Sequence, residues 1–240
     1  MEKLIKGSLE LNKMFAALQR TAVFLRRDFG ELENLQQSLR GARDFVKKAS
    51  AHIEESILSD LLLVRPSAGL LTQHITKAGD GRDEFVLALS GAANFVRSNP
   101  RFAISLALRS VGETKIALIY TPVGEKLYYA EKDSGAYLFS AYHSAKIKVS
   151  NISDAKDLTV GFGDAALIVD HPSLARVARL SGCPALDLAW VAAGKFDAYV
   201  SDPLDYAEIA AGELLIKEAG GTISMESMLV ATNGKVLIEK

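Results

Sequence analysis

The sequence predicts a mixed α/β protein whose first half packs helices on an antiparallel sheet and whose second half alternates strands with helices. Three observations predict it. Apolar residues recur at helical spacing in the first 64 residues; four short strand-like runs separated by Gly-containing turns follow between residues 102 and 139; and after Val149 the pattern switches to strand–helix alternation.

From Leu11 to about Arg27 the apolar positions Met14, Leu18 and Val23 mark a first helix, with Gly30 as its expected stop. Ile53, Ile57, Leu58, Leu61 and Leu62 mark a second, over Ser50 to Val64, closed by Pro66. Glu84 to Leu89 is short and apolar and reads as a strand, with Ser90 as the expected N-cap of a helix through Gly91-Ala92-Ala93. Phe102–Ala107, Lys115–Tyr120, Lys126–Ala130 and Gly135–Phe139 read as an antiparallel meander. Lys146 and Lys148 alternate with Ile147 and Val149, as on a strand with one solvated basic face. In the second half, Leu158–Phe162 and Ala198–Val200 are expected strands, and Ser173–Leu180, Leu186–Ala193 and Tyr206–Ala219 expected helices. Gly220-Gly221 should stop the last helix and feed a final strand. The expected boundary lies near Ser150, giving an N-terminal α+β half over 1–150 and a C-terminal α/β half over 151–240.

Composition bounds the function classes. With 49% apolar residues in 240, the chain can bury a substantial core. Its 28 basic and 29 acidic residues leave a net charge of -1, so no nucleic-acid or membrane-surface partner is expected from charge. The single cysteine, Cys183, cannot pair within the chain, and no leader-like segment opens it; a cytoplasmic protein is expected. The apolar run Ile57–Val64 falls far short of the ~20 residues that cross a bilayer.

Four strings carry a family resemblance and occur in the family's order. They are Asp44-Phe45-Val46, GAANF over Gly91–Phe95, ALDLAWVAAGKF over Ala185–Phe196, and IAAGELLIKEAGG over Ile209–Gly221. The last two are long and specific, and the chain resembles the inositol monophosphatase family. The resemblance implies a layered α-β-α-β-α sandwich, a homodimer, and magnesium-dependent hydrolysis of small phosphate monoesters. Some members of the family's SuhB branch associate with the transcription apparatus, so a protein partner of that kind is a further implication.

The same resemblance lets each functional position be checked. Aligned on Gly91, Asn94 and Phe95, the family's two metal-binding aspartates become Leu87 and Ser90, and its water-orienting threonine becomes Ala92. The metal-binding glutamate falls on Gln73, beside His74; a further aspartate becomes Ser50; the substrate-lining segment becomes Gly182-Cys183-Pro184; and the aspartate before I-A-A-G becomes Glu208. Magnesium prefers several anionic oxygen ligands, so the ancestral pocket of Gln73, His74, Leu87, Ser90, Gly91, Ala92, Cys183 and Glu208 is expected to bind it poorly. No catalytic residue, metal ligand or cofactor is therefore assigned. The expected function is a non-catalytic family member kept for a binding or regulatory role. The alternative is a weak or altered phosphatase using displaced carboxylates such as Glu54, Asp83, Glu84, Asp202 or Glu208.

Bland readings stand beside these sharp ones. His74 is an isolated histidine, Glu208 a helix-start carboxylate in an exposed first turn, and Cys183 a small buried residue without a nucleophile's partner. Asp202-Pro203-Leu204-Asp205 copies a family metal string, but in the wrong context, and reads as a surface turn. Arg97 and Arg101 flank Pro100 as surface arginines or as an anion-binding corner, and Trp190 is expected to pack.

Overall fold

The computed structural model describes residues 4–34, 54–73, 76–236 and 238, and the following holds for those residues. Helix α1 (Leu9–Asn34) and helix α2 (residues 54–64) precede an eight-stranded sheet. Its strands are β1 (Gly69–Thr72), β2 (Thr76–Lys77), β3 (Asp83–Ser90), β4 (Ala103–Ser110), β5 (Glu113–Thr121), β6 (Lys126–Glu131), β7 (Gly135–Phe139) and β8 (Ser144–Ile147). They lie in the order β2-β1-β3-β4-β5-β6-β7-β8, antiparallel from β3 onward, with β1 parallel to β3. Short helix α3 (Ala92–Val96) bridges β3 and β4.

A second sheet of five strands follows, ordered β10-β9-β11-β13-β12. It comprises β9 (Val160–Phe162), β10 (Ala178–Arg179), β11 (Ala198–Ser201), β12 (Thr222–Met225) and β13 (Leu229–Thr232). Its first three strands pair in parallel, and β13 pairs antiparallel with both β11 and β12, the mixed pairing that strand–helix alternation predicts. Helices α4 (Ala165–Asp170), α5 (Pro184–Ala192) and α6 (Tyr206–Glu218) complete the chain.

Three apolar clusters reveal the layering. Alternation along β3 sends Leu87 and Leu89 into one cluster with Leu18 and Leu25 of α1 and Ile57 and Leu61 of α2, and Val86 and Ala88 into another with α5 and α6. The second cluster continues into Tyr199, Leu229 and Ala231 of the five-stranded sheet. That sheet's other face, through Val160, Phe162, Ala198 and Val200, meets Leu167 of α4. The order of layers is helix, sheet, helix, sheet, helix.

Several expected elements differ. Helix α1 runs through Gly30 to Asn34, because Leu25 and Leu32 continue the buried stripe past a glycine that costs only about 1 kcal/mol in a helix. Ser90 is the last residue of β3 rather than an N-cap; Gly91, at φ 78°, makes the turn into α3. Ser173–Leu180 is not an α-helix: Pro172–Val177 forms a 3-10 turn and Ala178–Arg179 the strand β10. Helix α4, begun by Asp164 accepting from Ala166 N, was not expected, and two strands rather than one follow Gly221. Asp44, Phe45, Val46, Ser50 and His74 lie outside the described residues.

Candidate functional site

The end of β3, the loop after β1 and the first turns of α3, α5 and α6 meet around Gly91. Its positive φ has a steric reason as well as a conformational one: a Cβ there would sit 2.7 Å from the Arg101 carbonyl oxygen and 3.0 Å from Cys183 Cβ. Asn94, in the first turn of α3, clamps the neighbouring segments by donating from Nδ2 to Arg101 O at 2.7 Å and Ser181 O at 2.8 Å. The backbone is therefore fixed on three sides.

Of the expected pocket positions, contacts join Gln73 to Glu208 and Ser90 and Gly91 to Cys183, while the side chains of Leu87 and Ala92 pack toward the outer cluster and His74 lies outside the described residues. Leu87 and Ser90 are buried at 2% and 0% exposure, so the strand end presents methyl groups at one family ligand position and a neutral hydroxyl at the other. The Ser90 hydroxyl oxygen accepts from Ala185 N at 3.1 Å, across 95 residues, and so satisfies one of the free N–H groups at the start of α5. Cys183 is fully buried; its thiol donates to Ser90 O at 3.5 Å, and burial pushes its pKa up to about 12. It is inert as a nucleophile at neutral pH.

Glu208 departs from the exposed carboxylate read from its helix-start position. The first turn of α6 is tucked between the sheets, and Glu208 is only 8% exposed. Burial raises its pKa, opposed by the Ser90 hydroxyl and the Gln73 amide. Gln73 Nε2 donates to Glu208 Oε1 at 2.7 Å, while Oε2 has no hydrogen-bond partner among the described residues.

Beneath this pocket lies a polar group to which the sequence reading gave no role. Asp187, on α5 and 1% exposed, accepts from Ser181 Oγ at 2.7 Å, and Ser181 Oγ in turn accepts from Cys183 N at 2.9 Å. Desolvation pushes the Asp187 carboxyl up to about 7, against the pull of the Ser181 hydroxyl and the Arg101 charge. Burial likewise raises the Tyr199 hydroxyl. A carboxylate flanked by leucines in the run A-L-D-L-A was the available signal.

Magnesium requires several hard oxygen donors. Leu87 and Ala92 supply none, Ser90 is engaged by a backbone N–H, and Gln73 turns its NH2 to the one carboxylate present. This donor set does not fit the ion. Among the described residues no group of three or more His, Cys, Asp and Glu side chains could hold a metal. The displaced acids stand apart: Asp83 pairs with Arg65 at 3.7 Å and Glu84 with Arg109 at 3.0 Å at the opposite end of β3. That end is roughly 20 Å from Ser90 at strand rise. Glu54 opens α2, and Asp202 is exposed in the loop before α6, where the D-P-L-D string turns the chain.

Comparison with known proteins bears directly on this arrangement. The inositol monophosphatase family pattern matches residues 9–229. An inositol-1-monophosphatase of Rhizobium meliloti is 36% identical over 225 residues, covering 88% of this chain and 83% of that protein. A Nus factor SuhB of Xylella fastidiosa is 31% identical, covering 89% and 80%. The crystal structure of the extragenic suppressor protein suhB from Bartonella henselae superposes with a TM-score of 0.83 at 30% identity over 95% of both chains. Fold, motif order and relatives agree across almost the whole length: the chain belongs to the inositol monophosphatase family.

Proposed function

We propose that this chain is a non-catalytic member of the family, retained for a binding or regulatory role, with transcription machinery as the partner class and a homodimer as the working form. One observation carries the catalytic part: the pocket's single carboxylate, Glu208, is held by the Gln73 amide at 2.7 Å, in a site where Leu87 and Ala92 offer magnesium nothing. The missing hydroxyl at Ala92 removes a group that would orient the attacking water, and loss of one such group costs on the order of 100-fold in rate. The partner class rests on relatives that bear the name Nus factor.

The test is calorimetry with magnesium and manganese, paired with an inositol monophosphate hydrolysis assay. Expected are no saturable heat of metal binding and no metal-dependent turnover above background. The combined changes Gln73→Glu, Leu87→Asp, Ser90→Asp, Ala92→Thr and Glu208→Asp are the minimum worth testing for restored activity. Robust turnover by the unmodified protein, abolished by a chelator, would overturn the proposal.

The relatives named inositol-1-monophosphatase favour a second reading, a weak or altered phosphomonoesterase. It requires the free Oε2 of Glu208 to act, so Glu208→Gln would then abolish the residual turnover. Under the first reading that variant changes nothing in the assay.

A further inference from the structure

Helix α1 carries two apolar stripes. Leu11, Met14, Leu18, Leu25 and Leu32 are buried in the outer cluster, as a helix that covers a sheet requires. On the opposite side, about 180° away at 3.6 residues per turn, Leu9, Ala16 and Val23 recur at heptad spacing, and Lys13, Arg20 and Arg27 repeat beside them with the same period. This second stripe faces solvent: Leu9 is 71% exposed and Val23 55%. Between the first half of α1 and the end of α2 lies a groove of about 360 Å³, walled by Leu9 together with Leu4 and Leu63, which are 78% and 76% exposed. Three leucines at such exposure in one place differ from the singly scattered apolar residues of an ordinary surface.

The charges on this face have one sign. From Leu9 to Arg27 the outward positions of α1 bear three cations and no acid, and Glu10, on the flank, pairs with Arg65 at 2.8 Å. Asp60 of α2 meets Arg20 at 3.0 Å, and Arg27 reaches Asp28 and Glu31 at 3.1 and 3.8 Å. Both arginine side chains nevertheless keep more than half of their surface in solvent, and exposed pairs of this kind hold their partners weakly. Lys13, on the groove itself, forms no ion pair among the described residues. Apolar residues at heptad spacing beside like charges are what one helix presents to another, and they select a helix with the same apolar period and the opposite charge. An anionic membrane offers the charge but is flat, whereas a groove between two helices takes a ridge of side chains.

We infer that the outward face of α1, with the groove beside α2, is a docking surface for an acidic amphipathic helix of a partner protein. The partner's apolar ridge meets Leu9, Leu63 and Val23, and its carboxylates meet Lys13, Arg20 and Arg27. The inference rests on the binding role proposed above only in naming a protein as occupant, and it stands whether or not the Glu208 pocket turns over substrate.

The whole protein is titrated at low salt into a labelled synthetic helical peptide with Leu at its a and d positions and Glu at e and g, followed by fluorescence anisotropy. Expected is saturable binding that weakens as salt is added, with a scrambled peptide and a version carrying Lys in place of Glu at least about tenfold weaker. Leu63→Ser should weaken binding about tenfold and Lys13→Glu about fivefold, with melting unchanged. Val23→Ser, on α1, keeps the test informative should the Leu63 change disturb α2. No saturable binding, equal binding of either control peptide, or variants that bind like the original would overturn the inference. A fall in oligomer mass on Lys13→Glu, read by sedimentation, would overturn it by assigning the face to a second copy of the chain. Vesicles of anionic lipid that bind the original protein but not Lys13→Glu would overturn it by assigning the face to a membrane. None of these outcomes bears on metal binding or turnover, so failure here and failure of the non-catalytic reading are told apart.

Discussion

Asp187 is a carboxyl group in an environment that its type seldom occupies, 1% exposed on α5. In an unfolded chain its carboxyl ionises near 3.8, whereas burial in the folded protein moves it to about 7. Between those values the folded state binds a proton that the unfolded state has released, so this group's contribution to stability is lost as pH rises from 3.8 to about 7 and is level above that. The loss should be on the order of 2–4 kcal/mol. Asp187→Asn should flatten this slope, and urea midpoints measured across that pH range check it. An unchanged slope would mean that Asp187 ionises normally in the fold. The expected helix over Leu186–Ala193 includes Asp187, but its partner Ser181 stands six residues earlier in a loop, and only the turn at Gly182 brings the two together.

Helices α5 and α6 form the middle layer, and Gly212 of α6 packs tightly against Leu188 of α5. A Cβ there would lie 2.5 Å from Leu188 Cδ1 and 2.7 Å from Leu188 Cβ. Alanine normally stabilises a helix relative to glycine by about 1 kcal/mol. Here the overpacking should win, and Gly212→Ala should destabilise by about 1–3 kcal/mol in chemical denaturation. A stabilised variant would show that the helices can separate without loss. These two helices and the strands β4 to β7 were legible in the sequence, because long apolar periods and glycine turns are local signals. The stretch 165–180 was not. There Pro172 stops α4 and starts a 3-10 turn, and the two residues of β10 are strand only because β9 lies beside them, a tertiary cause that no local pattern carries. The candidate site shows the same division: motif alignment singled out Ser90 and Glu208 as positions, while the burial of Glu208 and the cap that Ser90 gives α5 depend on contacts more than 90 residues apart in the chain.

The five layers give the position of Leu87 a consequence for the molecule as a whole. On β3 its side chain turns toward α1 and α2, into the outer apolar cluster, while its neighbours Val86 and Ala88 turn into the inner one. Leu87→Asp alone would thus place a carboxylate among leucines and phenylalanines, and should destabilise the fold by about 3–5 kcal/mol, read as a drop in melting temperature. A change of less than about 1 kcal/mol would mean that the strand end opens to water after all. Where the family resemblance implies a metal oxygen, this chain carries a side chain that helps hold the outer helices in place. An aspartate at 87 can be carried only by a chain with several kcal/mol of stability to spare, and one at the fully buried Ser90, whose hydroxyl caps α5, meets a similar cost. The substitution works as a ratchet, easy to pass in one direction and opposed by the whole core in the other.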